Sequence, residues 1–205
     1  MPNGRSCIQI ICNIKTNIMT SLLQYLQSIQ PLPEGLVSYL QQIIRRKELS
    51  RKEYLLKEGQ VCRNIHFIEK GLLRCYYVKD GVEVSSWFMK ETDVCIAVES
   101  YYHQQPSQEF IQALEDTVIY SIAFDELQRI YRNFPAFNYT GRILTESYYM
   151  MSEQRSKSMR LQRSHERYDW LMTRYPELMQ RVPAKYIASY LGITEVTLSV
   201  VRGRR

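Results

Sequence analysis

The residue types and spacing best suited to chemistry lie in the last twenty residues, YIASYLGITEVTLSVVRGRR. Gly192 can adopt the positive φ that a sharp turn between two helices requires, and Thr194 can cap the second helix. The apolar positions expected to face inward are Ile187, Leu191, Ile193, Leu198 and Val201. This spacing predicts a helix-turn-helix, a motif whose second helix lies in the major groove of DNA.

The side chains predicted to contact DNA lie on or beside this second helix. They are Lys185, Thr194, Glu195, Val196, Thr197, Ser199, Val200, Arg202, Arg204 and Arg205. Hydroxyl and guanidinium groups can hydrogen-bond to base edges or phosphates, and valine can contact the methyl group of thymine. The alternative interpretations are an ordinary packed helical corner and a tail that contacts a protein partner instead of DNA.

The charge distribution supports a polyanionic partner for this end of the chain. The segment from Arg155 to Arg205 contains eleven Lys or Arg and four Asp or Glu, a net charge of +7. Because the whole chain carries +6, the preceding residues sum to −1. Positive charge concentrated at one end is typical of nucleic-acid-binding proteins.

The remaining reactive residue types do not form a recognisable site. The five cysteines Cys7, Cys12, Cys62, Cys75 and Cys95 are odd in number and lie mostly in apolar runs, which predicts reduced thiols in a cytoplasmic protein. His66, His103 and His165 lack metal-ligand spacing, so no metal site is predicted. No nucleophile elbow, phosphate-binding loop or pair of catalytic carboxylates is recognisable, and no enzyme is predicted.

The elements that must position the C-terminal motif divide the chain into four parts. Residues 1–18 are predicted to be a disordered extension. The next part, 19–136, begins with helix from Ser21 to Arg46, broken at PLPEG, and continues with short segments rich in β-branched and aromatic residues. Turn dipeptides such as Asp80-Gly81 punctuate these segments and predict an antiparallel β-roll or sandwich. The fold class is therefore α+β.

A long helix and a small helical domain complete the prediction, over residues 137–162 and 163–205. Asp125 is predicted to cap a preceding short helix, which ends at Pro135. The long helix carries an apolar stripe of Ile143, Leu144, Tyr148 and Met151, predicted to be the seam of a homodimer. The alternative is that this stripe packs on the roll of its own chain.

Three segments of the sequence resemble the cyclic-AMP receptor protein/Fnr (Crp/Fnr) family of transcription regulators. They are LLKEGQVCRNIHFIEKGLLRCYY, PSQEFIQALEDTVIYSI and IASYLGITEVTLS. The resemblance implies a β-roll that senses an effector, a dimerisation helix and a DNA-binding helix-turn-helix. It also implies that an effector shifts the spacing of two recognition helices, and it implies contact with RNA polymerase. The chain is most similar to the Bacteroidetes-type branch that lacks a winged hairpin.

Two departures from the family pattern affect function. Relatives of this branch show T-P-E-T-L-S-R where this chain has TEVTLSV over 194–200, so valine replaces a glutamate and an arginine that can read bases. The effector pocket implied by the resemblance comprises Ala97, Glu99, Tyr101, Tyr102, His103, Ser107 and Gln108. Ile96-Ala97 and Ser107-Gln108 stand where nucleotide-binding relatives have Gly-Glu and Arg-Ser. Residues 91–128 contain eight acidic residues and no Lys or Arg, which disfavours cyclic AMP as effector.

Overall fold

The computed structural model describes residues 20–160 and 163–203. The predicted extension 1–18, with Cys7 and Cys12, lies outside the described residues, as do Arg204 and Arg205. Within the described ranges, no helix is long and apolar enough to cross a membrane.

Two short helices precede the first strand, α1 (Thr20–Ile29) and α2 (Glu34–Ile43). Each buries leucines against the core, and Pro33 stands before α2 as predicted from the PLPEG break. The prediction of helix as far as Arg46 was wrong, because α2 ends at Ile43 and Ile44 turns to an extended backbone. Arg45 and Arg46 belong to an edge strand whose pairing partner lies more than seventy residues further along the chain, and such non-local pairing overrides local helix propensity.

Eight antiparallel strands form two four-stranded sheets, here called the roll. They are β1 (Arg45–Leu49), β2 (Tyr54–Leu56), β3 (Asn64–Lys70), β4 (Leu73–Lys79), β5 (Val82–Met89), β6 (Val94–Cys95), β7 (Phe110–Ala113) and β8 (Thr117–Ala123). The strand orders are β1-β8-β3-β6 and β2-β7-β4-β5. The antiparallel roll predicted from the sequence is thereby confirmed.

Tight turns join several of these strands. Asp80 and Gly81 both have positive φ, +53° and +76°, as a two-residue type I′ hairpin requires, which confirms the turn predicted between β4 and β5. Gly71, with φ +107°, passes so close to Thr117 that an added Cβ would lie 2.4 Å from its Oγ1. Only glycine fits at this crossing of the two sheets.

Helices surround and follow the roll. They are α3 (Val98–His103), α4 (Phe124–Asn133), α5 (Phe137–Met159), α6 (Ser164–Arg174), α7 (Leu178–Arg181), α8 (Ala184–Leu191) and α9 (Glu195–Gly203). The long helix α5 was predicted, whereas the short α7 was not. The predicted cap at Asp125 was wrong, because α4 begins at Phe124 and Asp125 lies in its first turn. We call residues 163–203 the tail domain.

The tail domain packs against the roll of the same chain. Its buried residues form one apolar cluster with Leu72, Phe88 and Leu114 of the roll, separate from the main core of the roll. The Phe88 and Tyr190 rings lie 5.2 Å apart at this contact. Cys62, Cys75 and Cys95 are buried free thiols, and no group of metal-binding side chains occurs among the residues described.

Candidate nucleic-acid interface and ligand cavity

Helices α8 and α9 form the predicted helix-turn-helix. Gly192 ends α8 in the left-handed conformation, with φ +64° and ψ +39°, and the Ile193 amide donates a hydrogen bond to the Ala188 carbonyl. The Thr194 Oγ1 atom then accepts from the Thr197 amide at 3.1 Å, capping α9 as predicted. The turn and the cap together fix the direction in which α9 leaves α8.

The faces of α9 divide as the sequence predicts. Leu198 and Val201 are buried in the tail domain, whereas Ser199 and Arg202 are exposed. Val196 and Val200 are exposed to 75% and 51%, unusually high values for aliphatic side chains. The solvent face of α9 therefore combines hydroxyls, one guanidinium and two uncovered valines.

Two predicted DNA contacts lie apart from this face. Lys185 and Glu195 line an open cleft of about 510 Å³ between the tail domain and β5, together with Arg74. Arg167, one of the cations of the basic C-terminal segment, lies near the turn: its Nη1 atom is 3.4 Å from the position of a Cβ added to Gly192. Arg167 therefore places positive charge beside the turn between α8 and α9.

An arginine fork connects the tail domain to the roll. Arg181, at the end of α7, donates two hydrogen bonds of 2.9 Å to Glu91 and also bonds to Glu115. Partial burial opposes ionisation of Glu91, but the bonds from Arg181 and from the Gly71 amide outweigh it and lower its pKa to about 2. The same carboxylates raise the pKa of Arg181. Glu91 and Arg181 therefore both stay charged at neutral pH.

A second arginine connects the roll to α8. Arg74 of β4 is fully buried, and its guanidinium carbon lies 4.2 Å from the centre of the Tyr76 ring and 3.6 Å from that of Tyr186. Its Nη1 atom donates to Glu83 at 2.6 Å. Stacking between two aromatic rings compensates part of the desolvation of this cation.

A serine bridge completes the contact between β5 and α8. The Ser189 hydroxyl accepts from the Ser85 amide and donates to the Glu83 carbonyl, both at 2.9 Å. Ser189 therefore continues the edge of the sheet, as a neighbouring strand would. The sequence carried no signal for this contact, because a serine on a short helix is ordinarily exposed.

The predicted effector residues occupy different environments. Ala97 precedes α3 and is buried, and Ser107 is buried with its hydroxyl bonded to the Glu109 backbone. Of the predicted set, the residues exposed at or near α3 are Glu99, Tyr102, His103 and Gln108. Of the predicted set, Tyr101 and Tyr102 line the same cavity.

That cavity has a volume of about 540 Å³ and lies between α3, β6, α4 and α5. Its lining comprises Ile65, Val94, Ile96, Val98, Tyr101, Tyr102, Leu127, Gln128, Tyr131, Asn138, Gly141, Arg142, Leu144, Thr145, Tyr148, Tyr149 and Ser152. The residues from α4 and α5 were not predicted, because the sequence does not show how α5 crosses the roll. Gly141 is the feature of the sequence that could have indicated this close packing of α5 on α4, because an added Cβ would lie 2.7 Å from the Tyr131 hydroxyl.

The predicted dimer stripe does not lie on one free face of α5. Leu144 packs on the main core, and the Tyr148 hydroxyl accepts a hydrogen bond from the Val94 amide, so both face the roll of their own chain. Ile143 and Met151 lie on another side, around an open groove shared with Met150. The intramolecular alternative therefore describes half of the stripe, and a dimer seam on α5 stays a prediction.

Comparison with known proteins identifies the fold of this chain. Residues 46–134 match the cyclic nucleotide-binding domain family, a stretch that spans the eight strands except Arg45 and reaches the end of α4. No curated protein sequence matched the chain. The chain thus carries a domain with the cyclic nucleotide-binding fold, followed by a long helix and a helix-turn-helix.

Solved structures share most of this arrangement. A CooA mutant from Carboxydothermus hydrogenoformans matches with a TM-score of 0.63 and 20% identity over 83% of this chain and 78% of that one. FixK2 from Bradyrhizobium japonicum gives 0.65 and 16%, over 79% and 84%. A regulator from Eubacterium rectale described as Crp/Fnr family gives 0.64 and 16%, over 83% and 82%. The fold is that of the Crp/Fnr transcription regulators.

Proposed function

We propose that this protein is a DNA-binding transcription regulator of the Crp/Fnr type. The observation that carries the proposal is the capped, exposed helix α9, held by Leu198 and Val201 on a helix-turn-helix whose turn is built by Gly192. This helix offers hydroxyl and guanidinium groups to a major groove.

The surface of α9 supports DNA recognition with altered base preference. In the family pattern, a glutamate that can accept from cytosine stands at the position of Val196, and an arginine that can bind guanine bidentately stands at that of Val200. A bidentate contact of this kind is worth about 1–3 kcal/mol of discrimination. Ser199, Arg202 and Thr197 remain for hydrogen bonding, and the valine methyl groups favour thymine. We expect operators in which A·T pairs replace the G·C pairs that arginine would select.

The regulator would act as a homodimer that responds to a small molecule other than cyclic AMP. Two α9 helices about 34 Å apart would enter successive major grooves of a palindromic site. An effector that favours one arrangement of the two tail domains would shift the population towards it. Contact with RNA polymerase and a wingless mode of DNA binding belong to the same proposal.

The experiment is a fluorescence-anisotropy titration with a randomised duplex pool at several salt concentrations, followed by sequencing of the bound fraction. We expect enrichment of a palindrome with half-sites one helical turn apart. Arg202→Ala should weaken DNA binding and reduce its salt dependence. Arg129→Ala is the matched control, because Arg129 is exposed on α4, and it should change neither. Salt-dependent binding without enrichment of any sequence would show that the protein contacts the phosphate backbone but does not read bases.

A second candidate function follows from the uncovered valines. Val196 and Val200 form an apolar strip on α9 that suits a protein partner better than a phosphate backbone. In this alternative, the roll is a ligand- or protein-binding module whose tail no longer reads DNA. Absence of DNA binding at low salt, by apo protein and after addition of cell-extract metabolites, would favour it.

A further inference from the structure

We propose that the cavity between α3, β6, α4 and α5 binds a neutral, largely apolar molecule of one or two rings. This inference rests on the proposed function, because it names the chemical class of the effector. Its evidence is the size, the lining and the charge of this cavity, each of which is independent of how α9 meets DNA.

The size of the cavity fits a small organic ligand. Ligand-binding pockets commonly enclose about 300–1,000 Å³, and this one encloses about 540 Å³. A smaller void of about 60 Å³ adjoins it and shares Ile65, Val94 and Leu127 in its wall. The space is therefore larger than one side chain or a few water molecules need, and it reaches the apolar core beneath α1.

The lining of the cavity is rich in tyrosine. Five tyrosines contribute to it: Tyr101, Tyr102, Tyr131, Tyr148 and Tyr149. Burial raises the pKa of Tyr101, Tyr131 and Tyr148, so these hydroxyls remain protonated at neutral pH. Tyrosine rings provide apolar faces for stacking, and their hydroxyls provide a few directional hydrogen bonds.

The charge of the cavity disfavours an anionic ligand. Among the lining residues that the structure describes, Arg142 alone is charged, and it forms a 2.8 Å salt bridge with Glu146 at the surface. A phosphate or carboxylate bound here would lose hydration, and Arg142 could pair with it only by leaving Glu146. A neutral ligand has no such cost.

One hydroxyl at the wall still needs a partner. Within the described part of the chain, the Tyr101 hydroxyl is buried and forms no hydrogen bond, and Tyr101 itself is 1% exposed. Buried polar groups are rarely left unpaired in proteins. A ligand that carries a hydroxyl or carbonyl group next to Tyr101 would satisfy it.

A pair of dyes with the same ring system tests the class of ligand. N-phenyl-1-naphthylamine is neutral, and 1-anilinonaphthalene-8-sulfonate adds one negative charge; both fluoresce more strongly in apolar sites. Titrated into the full chain, the neutral dye should saturate at one molecule per subunit. The sulfonate should bind at least tenfold more weakly.

Matched substitutions on α5 locate the dye. Thr145→Phe and Ser152→Phe place a ring at the cavity wall and should weaken binding of the neutral dye at least tenfold. Ser156→Phe is the control, because Ser156 is exposed on the same helix and lies outside the cavity. It should leave dye binding unchanged, and circular dichroism should show all three variants to be folded.

Three results would overturn the proposal. The first is equal affinity for the sulfonate and the neutral dye, and the second is equal binding of the neutral dye by Thr145→Phe and the wild-type chain. The third is dye binding that occurs only after dilution to monomers, because the cavity would then be filled by a partner subunit in the dimer. DNA binding is measured on the same preparations. Loss of DNA binding with intact dye binding refutes the proposed function alone, whereas the reverse refutes this inference alone.

Discussion

The arginine fork between the tail domain and the roll leads to a quantitative prediction. Arg181→Met removes the partner of Glu91 and Glu115 while preserving most of the aliphatic stem. The pKa of Glu91 falls from its ordinary value of 4.5 to about 2, and a shift of that size corresponds to about 3.4 kcal/mol. The Glu91 side chain is 37% exposed, so solvent screening reduces the expected pairwise coupling to about 1–2 kcal/mol.

A double-mutant cycle measures this coupling. Urea denaturation of the wild-type chain, Arg181→Met, Glu91→Gln and the double mutant gives the four free energies of unfolding. Trp87 on the roll and Trp170 on α6 report the two parts of the chain by fluorescence. Arg129→Met is the control, because Arg129 pairs with Glu126 in an exposed i,i+3 arrangement worth at most about 0.5 kcal/mol.

The stabilisation from this pair should decrease as the pH falls. Because the pKa of Glu91 is lower in the folded protein, its stabilisation is complete above the unfolded value of about 4.5 and is lost as the pH falls towards 2. At pH 3.5, about three-fifths of the coupling should remain. A coupling below about 0.3 kcal/mol at pH 7, or one that grows on acidification, would refute the assignment of Arg181 as a charged connection between roll and tail domain.

Further predictions concern the helix-turn-helix. Val200→Arg, at an exposed position, should fold normally and increase discrimination between operators by about 1–3 kcal/mol, as measured by repeating the duplex selection. Leu198→Ala should lower the free energy of unfolding by about 2–5 kcal/mol in urea titrations, while the exposed Val196→Ala should change it by less than about 0.5 kcal/mol. Gly192→Ala should cost about 1–2 kcal/mol by thermal unfolding because alanine disfavours a φ of +64°.

Local patterns made much of the fold predictable. The Asp80-Gly81 turn, the Gly192 turn and the Thr194 cap each depend on the conformation of a few neighbouring residues, and the structure shows each as expected. Strand β1 was mispredicted because Arg45 and Arg46 carry no apolar alternation. Their strand conformation depends on pairing with Ser121 and Tyr120, which no local pattern reveals.

The candidate site was less predictable because it depends on contacts between distant elements. Tyr101 and Tyr102 were assigned to the ligand region from a resemblance, but the opposite wall comes from α5, some forty residues later. The side on which α5 packs is not encoded in its periodicity, since both Leu144 and Ile143 belong to the apolar stripe. Only the position of the roll decides that Leu144 packs on the core.

The acidic residues that disfavour a cyclic nucleotide have a second role in the structure. Two of the eight acidic residues between positions 91 and 128, Glu91 and Glu115, hold Arg181 of the tail domain. Arg181 therefore contributes to docking and not to a DNA-facing surface, although it counts towards the +7 of the C-terminal segment. Net charge measures the attraction of a segment for DNA, but only the structure shows which cations remain available. By this reasoning, neutralising Arg181 should weaken DNA binding less than neutralising Arg202.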